Sequence, residues 1–422
     1  MKKVNIQQLC DLIEERKEEL FDLLSGLIKI NSENLFDGGK EEECARYIHK
    51  LCTELGLESD IYSPMDIEGF SEHPDYMPGK NLENRYNVVA RMPGEEDRDE
   101  LMIMSHIDTV PVGDLNNWNF DPFAGIIEDG KILGRGACDD KYGIATALFI
   151  LKLLKENGFK PKANLLFAGY CDEEFGGSHG ALAAVLKYPC ERIVNMDCKE
   201  DQIWHCGSGG AEVKYFYHTK NLVDSAEAAA RAIPIILDTI KEFSEKRRCE
   251  LEENRFYKGT IIPDTSLRYM GIRAGNNGMD LGRGEIYFVF YTDKTKEEID
   301  AEFDALHKKI SAKLEPIGII GDGFKYNTRF FHYVYTEPDS EDIRLMLEAA
   351  KDVGGTVPDV CGSCLSDLSV ISKYGNSKAF AYGSGRNFGD IGGAHQPNEF
   401  IECDKLVEFT KTIGAYILKV LG

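Results

Sequence analysis

The sequence predicts an α/β protein in which a smaller α+β domain is inserted into a domain made of a sheet and flanking helices. At 422 residues the chain exceeds the size at which a single hydrophobic core stops growing, so two domains are expected. Strand and helix signals alternate in the first half, and this alternation returns at the end of the chain after a middle stretch of different order. The expected bounds are 1–207 and 336–422 for the larger domain and 208–335 for the insertion.

The first half of the chain alternates helical and extended patterns. Helical spacing of apolar residues occurs in "IQQLCDLIEERKEELFDLLSGLIKI" and again in "DDKYGIATALFILKLLKENG", which closes with Asn157 and Gly158. Short apolar runs typical of buried strands are "ELMIMSHID", "NLLFAGY" and "RIVNMD". This alternation favours a sheet covered by helices.

The middle of the chain has its own order of elements. We expect the strand "EVKYFYH", the helix "AEAAARAIPIILDTIKEFSEKRR", the strands "SLRYMGIRA" and "EIYFVFYT", the helix "KEEIDAEFDALHKKISAKL" and the strand "RFFHYVYT". The order βαββαβ is the ferredoxin-like pattern. After it, "EDIRLMLEAAKDVGG", "KAFAY" and "KLVEFTKTIGAYILKVL" resume the alternation, so we expect them to complete the first sheet.

The charge of the chain limits its partners. The formal net charge is −23, which repels nucleic acid and anionic membrane surfaces and leaves small molecules or metal cations as the expected partners. The amino-terminal stretch has no uninterrupted apolar core, and no window of the sequence approaches a membrane span. We therefore expect a cytoplasmic protein.

Potential metal ligands follow the apolar runs at the points where strands are predicted to end. In open α/β sheets, sites form outside the carboxyl ends of the strands, so these side chains are expected on one edge. The candidates are His106, Asp108, Asp139, Asp140, Glu173, Glu174, Asp197 and His395. Imidazoles with several carboxylates suit two divalent cations, with zinc the first expectation and manganese or cobalt as alternatives.

Each candidate also has a simpler interpretation when it is taken alone. His106 could be a core histidine, although a His-x-Asp pattern allows Asp108 to orient its ring. Asp139 and Asp140 could cap the following helix. The glutamate pair could lie in a solvated turn, and Asp197 and His395 could be loop residues. The metal interpretation is favoured because all of these alternatives would have to hold together at strand ends.

The segments "SHIDTVPVGD", "GRGACDDKYG", "GYCDEEFGG", "NMD" and "AHQPNE" occur in this order, with an insertion of lid size between the last two. In this the chain resembles the dinuclear zinc aminoacylase and dipeptidase family, which includes carboxypeptidase G, acetylornithine deacetylase, succinyl-diaminopimelate desuccinylase and carnosinase-type dipeptidases. The resemblance spans nearly the whole chain. It implies a metallopeptidase-like catalytic domain with a mixed sheet and an inserted lid.

The resemblance also implies a role for each residue. Asp139 would bridge two ions, with His106 and Asp197 on one ion and Glu174 and His395 on the other. Glu173 would be the general acid and base, and Asp108 would orient His106. A cis peptide between Asp139 and Asp140 is implied as well.

The implied chemistry is metal-dependent hydrolysis of an amide bond in a small substrate. In the family, dipeptidase-like members tend to carry aspartate at the position of Asp197, which favours a dipeptide. The alternative is an N-acyl-amino-acid amidohydrolase with the same metal centre. A catalytically silent binding protein on this scaffold is a third hypothesis, which the complete ligand set and Glu173 oppose. A homodimer through the lid is left open.

Two positions depart from the family pattern. Family members often place an oxyanion-stabilising histidine in the lid, whereas this chain offers only His218, with His332 as a weaker candidate. The lid strand in the family commonly ends in Asp-x-Arg, but this chain has "FYTDKT" there. Arg386 in "GSGRNFG" could grip a substrate carboxylate or could be a solvated loop arginine.

Overall fold

The computed structural model of the protein describes residues 4–35, 37–258, 260–275 and 280–422. Chain contacts divide it into two compact units. The larger unit contains the described residues of Met1–Cys206, Tyr335–Ser363 and Val370–Gly422. The smaller unit contains those of Gly207–Val334 and Cys364–Ser369. The predicted insertion, 208–335, differs from the smaller unit by one residue at each end and by the short segment 364–369.

The strands and the helices are numbered separately in chain order. The strands are β1 (Glu58–Tyr62), β2 (Asn87–Met92), β3 (Glu96–His106), β4 (Ile126–Glu128), β5 (Lys131–Leu133), β6 (Ala163–Tyr170), β7 (Arg192–Asn195), β8 (Gln202–Gly207), β9 (Gly209–Thr219), β10 (Leu267–Ala274), β11 (Arg283–Thr292), β12 (Ile319–Tyr326), β13 (Val334–Tyr335), β14 (Asp359–Gly362), β15 (Phe380–Tyr382) and β16 (Phe400–Glu402). The helices are α1 (Ile6–Glu15), α2 (Lys17–Ile28), α3 (Glu42–Glu54), α4 (Lys141–Glu156), α5 (His179–Lys187), α6 (Ala226–Ala230), α7 (Ala232–Glu253), α8 (Lys296–Leu314), α9 (Glu341–Asp352), α10 (Leu368–Val370) and α11 (Cys403–Leu421).

A mixed sheet organises the larger unit. Its strand order is β1-β2-β6-β3-β7-β15-β8-β13, with β14 paired to β8 beside this path. The neighbours of β3, namely β6 and β7, run parallel to it, whereas β1, β2 and β6 pair antiparallel with one another in that order. All eight residues of β6 are buried, as expected for a strand covered on both faces. The predicted α/β class with a mixed sheet is confirmed.

The central strands bring their carboxyl ends to one edge of the sheet. His106, the last residue of β3, pairs with Tyr170, the last residue of β6. Met104 of β3 pairs with Asn195, the last residue of β7. Because the three strands are parallel neighbours in register, the segments that follow them start side by side. This register positions the candidate site.

The smaller unit is a four-stranded antiparallel sheet with the order β10-β11-β9-β12. Its core includes Ile236 and Ile240 of α7, and Phe303 and Ile310 of α8. With its helices this sheet has the predicted ferredoxin-like order, so the expected α+β insertion is confirmed.

The position of the last strand in this unit was predicted wrongly. We expected it at "RFFHYVYT", whereas the strand is β12, which begins ten residues earlier and has the sequence "IIGDGFKY". Gly321 and Gly323 weaken the strand signal of that stretch, but they sit at an irregularity of the pairing with β9. A side chain at Gly321 would come within 2.2 Å of the Tyr215 hydroxyl, so the close approach of that ring requires glycine.

A single apolar side chain at the centre of the main sheet offers a test of this packing. Ile103 of β3 is fully buried between the paired residues Phe167 of β6 and Val194 of β7. Ile103→Ala should lower the free energy of unfolding by about 2–5 kcal/mol, because the transfer energy is lost and a cavity remains. Ile391→Ala is the matched control, since Ile391 is 90% exposed and its loss should change stability by less than about 0.5 kcal/mol. Urea unfolding of both variants checks this, and equal losses would contradict it.

No helix within the described ranges is both long and apolar enough to cross a membrane.

Candidate functional site

The candidate site forms where β3, β6 and β7 end. His106 closes β3, Glu173 and Glu174 follow β6, and Asp197 lies two residues beyond β7. Asp139 precedes α4, and His395 lies in the loop before β16. Their ligand atoms form three overlapping groups, in each of which all atoms lie within 4.8 Å of one another. The groups are His106, Asp139 and Asp197; Asp139, Glu174 and His395; and His106, Glu173 and Glu174.

Hydrogen bonding determines which nitrogen of His106 faces this cluster. The Nδ1 atom of this buried ring lies 2.8 Å from the backbone carbonyl oxygen of Asp108. A carbonyl oxygen only accepts, so Nδ1 carries the hydrogen and the Nε2 of a neutral ring is an acceptor. That Nε2 lies 3.0 Å from Oδ1 of Asp139, which is also an acceptor. Two facing acceptors need either a proton on Nε2, which makes the ring a cation, or a metal ion between them.

The Asp108 carboxylate has a different partner from the one expected. We expected it to orient His106, but its Oδ1 lies 3.8 Å from Nδ1, and the carbonyl of the same residue makes the contact. The two carboxylate oxygens instead accept from the backbone N–H groups of Glu173 and Glu174, each at 3.0 Å. Asp108 thus links the end of β3 to the segment after β6, since its carbonyl contacts His106 and its carboxylate contacts the backbone of the two glutamates.

Asp139 lies between the two histidines of the site. Its Oδ1 contacts Nε2 of His106 at 3.0 Å, and its Oδ2 contacts Nε2 of His395 at 3.1 Å. Burial raises the pKa of Asp139, but the hydrogen bonds from His106 and His395 outweigh this and hold that pKa well below its ordinary value. Each oxygen of one carboxylate therefore faces a different imidazole, which is the arrangement that a bridging ligand needs.

Asp140, the next residue, points elsewhere. The peptide bond between Asp139 and Asp140 is cis, as the resemblance implied. The Asp140 side chain makes no capping hydrogen bond to α4 in the described part of the chain. Its Oδ2 accepts from the Ser105 hydroxyl at 2.7 Å and from the His106 backbone N–H at 3.2 Å. Burial raises the pKa of Asp140 to about 7.

Glu174 and His395 form the second half of the cluster. Oε2 of Glu174 lies 3.1 Å from Nε2 of His395, and its Oε1 accepts from the backbone N–H of Val110 at 3.1 Å. Burial lowers the pKa of His395, but the negative charges of Glu174 and Asp139 outweigh it and raise that pKa to about 11. The Phe388 ring packs on His395 with 4.7 Å between ring centres and is 52% exposed.

The donor set fits two divalent ions. Ligand atoms that each lie about 2.0–2.2 Å from one tetrahedral zinc ion are about 3.3–3.6 Å from one another. The contacts from His106 to Asp139 and from His395 to Asp139 and Glu174 are a few tenths of an ångström shorter, at 3.0 to 3.1 Å. The cluster is rich in carboxylates and Asp139 belongs to two of the groups, so the residues suit two ions that share one ligand.

Asp172, the first of the three consecutive acids after β6, is neutralised by cationic side chains of the protein. Asp172 is fully buried, and its carboxylate contacts Lys80 Nζ at 2.7 Å, Arg85 Nη1 at 2.8 Å and His179 Nδ1 at 2.6 Å. Burial raises the pKa of Asp172, but Arg85, His179 and Lys80 outweigh it and keep that pKa below its ordinary value. Sequence reasoning missed these residues, because Lys80 and Arg85 lie some ninety positions away and in no recognisable pattern. The one available signal was that three consecutive acids do not all face the same way.

The remaining candidates make local contacts. His218 lies 2.9 Å from Asp322, and the His332 ring packs on Phe330 with 5.4 Å between centres, all within the smaller unit. The Arg386 guanidinium lies over the Phe400 ring at 4.1 Å, and its Nη1 is 3.9 Å from Glu402. A role for any of the three in substrate binding stays a prediction.

Comparisons with known proteins found a family model and relatives that match most of this chain. The model of peptidase family M20/M25/M40 matches residues 102–419. An uncharacterised metallohydrolase of Methanocaldococcus jannaschii is 28% identical, covering 93% of this chain and 97% of the relative. The N-formyl-4-amino-5-aminomethyl-2-methylpyrimidine deformylase of Bacillus subtilis is 24% identical over 98% of this chain and 97% of its own length.

Among solved structures, the dipeptidase Dug1p from Saccharomyces cerevisiae superposes with a TM-score of 0.73 at 18% identity, covering 98% of both chains. At that identity it is evidence of a shared fold. The suspected family and the expected class, a metal-dependent peptidase or amidohydrolase, are confirmed, and the hypothesis of a silent binding protein is set aside. The chain belongs to peptidase family M20/M25/M40.

Proposed function

We propose that the protein hydrolyses an amide bond in a small substrate with two divalent ions held at the cluster. His106 and Asp197 would hold one ion, Glu174 and His395 would hold the other, and Asp139 would be a ligand of both. The observation that carries this proposal is the position of Asp139, whose two oxygens face two different histidines at 3.0 and 3.1 Å. Zinc is the first expectation because imidazole and carboxylate ligands suit it, and manganese or cobalt are alternatives for an oxygen-rich set.

The mechanism divides the work between the ions and Glu173. When bound, the ions supply Lewis acidity for the amide carbonyl and lower the pKa of the attacking water. Glu173 accepts a proton from that water and then delivers it to the leaving nitrogen, so one carboxylate acts twice. Asp108 holds the backbone of Glu173 in place, and the Asp108 carbonyl keeps the Nε2 of His106 turned toward the ions.

A dipeptide is the substrate that we favour. The support is Asp197, because dipeptidase-like members of the resembled family tend to carry aspartate at this position. The expected partner is thus a small peptide. A homodimer through the smaller unit and a cytoplasmic location stay predictions.

An N-acyl amino acid is the second candidate substrate. The relative from Bacillus subtilis, whose name gives it a deformylase activity, aligns over 98% of this chain. A deformylase removes an acyl group from an amine and needs no free amino group in its substrate. The same metal centre and the same Glu173 serve either reaction.

Metal binding is the first test of the proposal. Purified protein should bind close to two divalent ions per chain, and Asp139→Ala should weaken both sites because one side chain contacts both. Removal of the ions should also lower the melting temperature, since an ion at a hundred times its Kd stabilises the folded state by about 2.7 kcal/mol. Elemental analysis and thermal unfolding measure these effects. If reconstitution with zinc, manganese or cobalt leaves no stoichiometric metal, the dinuclear centre is wrong.

The adjacent glutamates should lose different properties when they are changed. Glu173→Gln keeps the shape but removes the proton acceptor, so turnover should fall by roughly 10²–10⁴ while both ions stay bound. Glu174→Gln should instead lower metal occupancy, because a neutral amide is a poorer ligand for a divalent cation. Metal stoichiometry measured beside kcat separates them. Loss of an ion in Glu173→Gln with both ions kept in Glu174→Gln would exchange the two roles.

Substrate preference is tested with matched pairs. Unblocked dipeptides should be hydrolysed with a higher kcat/KM than the same dipeptides carrying an N-acetyl or N-formyl group. Both members of a pair are assayed with one preparation of metal-loaded enzyme, so that metal content is the same. The reverse order would replace the dipeptidase with the N-acyl amidohydrolase and would leave the metal assignment untouched.

A further inference from the structure

The turn that carries Glu173 and Glu174 is strained. Asp172, Phe175 and Ser178 all have positive φ angles, of 61°, 60° and 55°. Residues other than glycine in this region of φ and ψ cost about 1–3 kcal/mol each, and they persist only where surrounding contacts hold them. The segment therefore depends on contacts from outside itself.

Those contacts come from amino-terminal segments of the larger unit. The Lys80 ammonium donates to Oδ1 of Asp172 at 2.7 Å and to the backbone carbonyl of Glu174 at 3.2 Å. The Asn34 side-chain amide donates to that same carbonyl at 3.0 Å and to Oδ2 of Asp108 at 2.8 Å. Two side chains thus clamp one peptide group of the turn, the carbonyl of Glu174.

The clamp is charged and closed to water. Lys80, Arg85, Asp108 and Asp172 have side chains with no exposed surface. Arg85 contacts Asp172 at 2.8 Å and lies 4.0 Å from Asp108, and its Nε donates to Glu41 at 2.7 Å. A buried carboxylate without a cation is costly, and removal of one partner from a buried pair leaves the other uncompensated. Loss of Lys80 would remove one of the cations that neutralise Asp172, leaving Arg85 and His179, and would remove one donor to the Glu174 carbonyl.

We propose that Lys80 is a positioning residue of the metal centre, which holds the peptide of Glu174 so that its carboxylate meets the ion shared with His395. The inference rests on the proposed metal centre. Lys80 contacts the carboxylate of Asp172 and the backbone carbonyl of Glu174. It acts through the backbone carbonyl of Glu174 and through Asp172, whereas the proposed ligands of the other ion stand elsewhere: His106 ends β3, and Asp197 follows β7. Its loss should affect one ion more than the other.

The test titrates metal-free protein with Co²⁺ and follows the visible absorption, against a competing chelator, to obtain two stepwise dissociation constants. Lys80→Met should raise one of them by about 10–100-fold, the range for residues that orient metal ligands, and change the other far less. Glu174→Gln and Asp197→Asn are references for the two ions. The step that Lys80→Met weakens should be the one that Glu174→Gln weakens.

The matched control is Lys50→Met, the same change at a lysine that is 69% exposed and lies 3.7 Å from Glu54, which should bind both ions as the unchanged protein does. If Lys80→Met does not fold, Asn34→Ala replaces it, because the Asn34 amide donates to the same carbonyl. Equal weakening of both steps, or no weakening, would overturn the role of Lys80 while two ions still bind to the unchanged protein. If the unchanged protein binds no Co²⁺, the metal centre itself is wrong.

Discussion

Repulsion between buried carboxylates is the constraint on which the rest of this structure depends. Asp108 and Asp172 are fully buried near the turn after β6, whereas Asp139 and Glu174 converge in the candidate metal site. The protein supplies its own cations to Asp172, with Lys80 and Arg85 at 2.7 and 2.8 Å. In the candidate site the histidines present Nε2 atoms to carboxylate oxygens, and divalent ions fit there. The negative charge is thus compensated by side chains around Asp172 and, in the proposed site, by metal ions.

This division explains how adjacent residues perform different tasks. Asp172, Glu173 and Glu174 follow one another, yet the first contacts buried cations and the other two belong to groups that could hold a metal ion. The separation relies on a turn with several positive φ angles, which the buried contacts hold in place. Catalytic geometry and folding stability are therefore coupled here, because the cations that stabilise the interior also set the direction of Glu174.

Much of the fold could be predicted from the sequence because the patterns are local. The runs "NLLFAGY" and "RIVNMD" and the helix α4, which is buried over most of its length, follow from the spacing of apolar residues, and the insertion follows from the change in element order. The last strand of the smaller unit was predicted in the wrong place. Gly321 and Gly323 weaken its strand pattern, and the aromatic run after it has a stronger one. Glycine there serves a close approach to Tyr215, which is a contact between distant residues.

The sequence by itself determined which residue types end the strands and, through the resemblance of its motifs, the family and the set of candidate ligands. Only the tertiary structure decided that the carbonyl of Asp108, and not its carboxylate, orients His106, and that Asp172 faces Lys80 and Arg85. The physical reason is the separation along the chain between the residues that contact one another. Periodicity records how a residue meets neighbours a few positions away, whereas the cation that neutralises a buried acid can come from any segment that the sheet brings next to it.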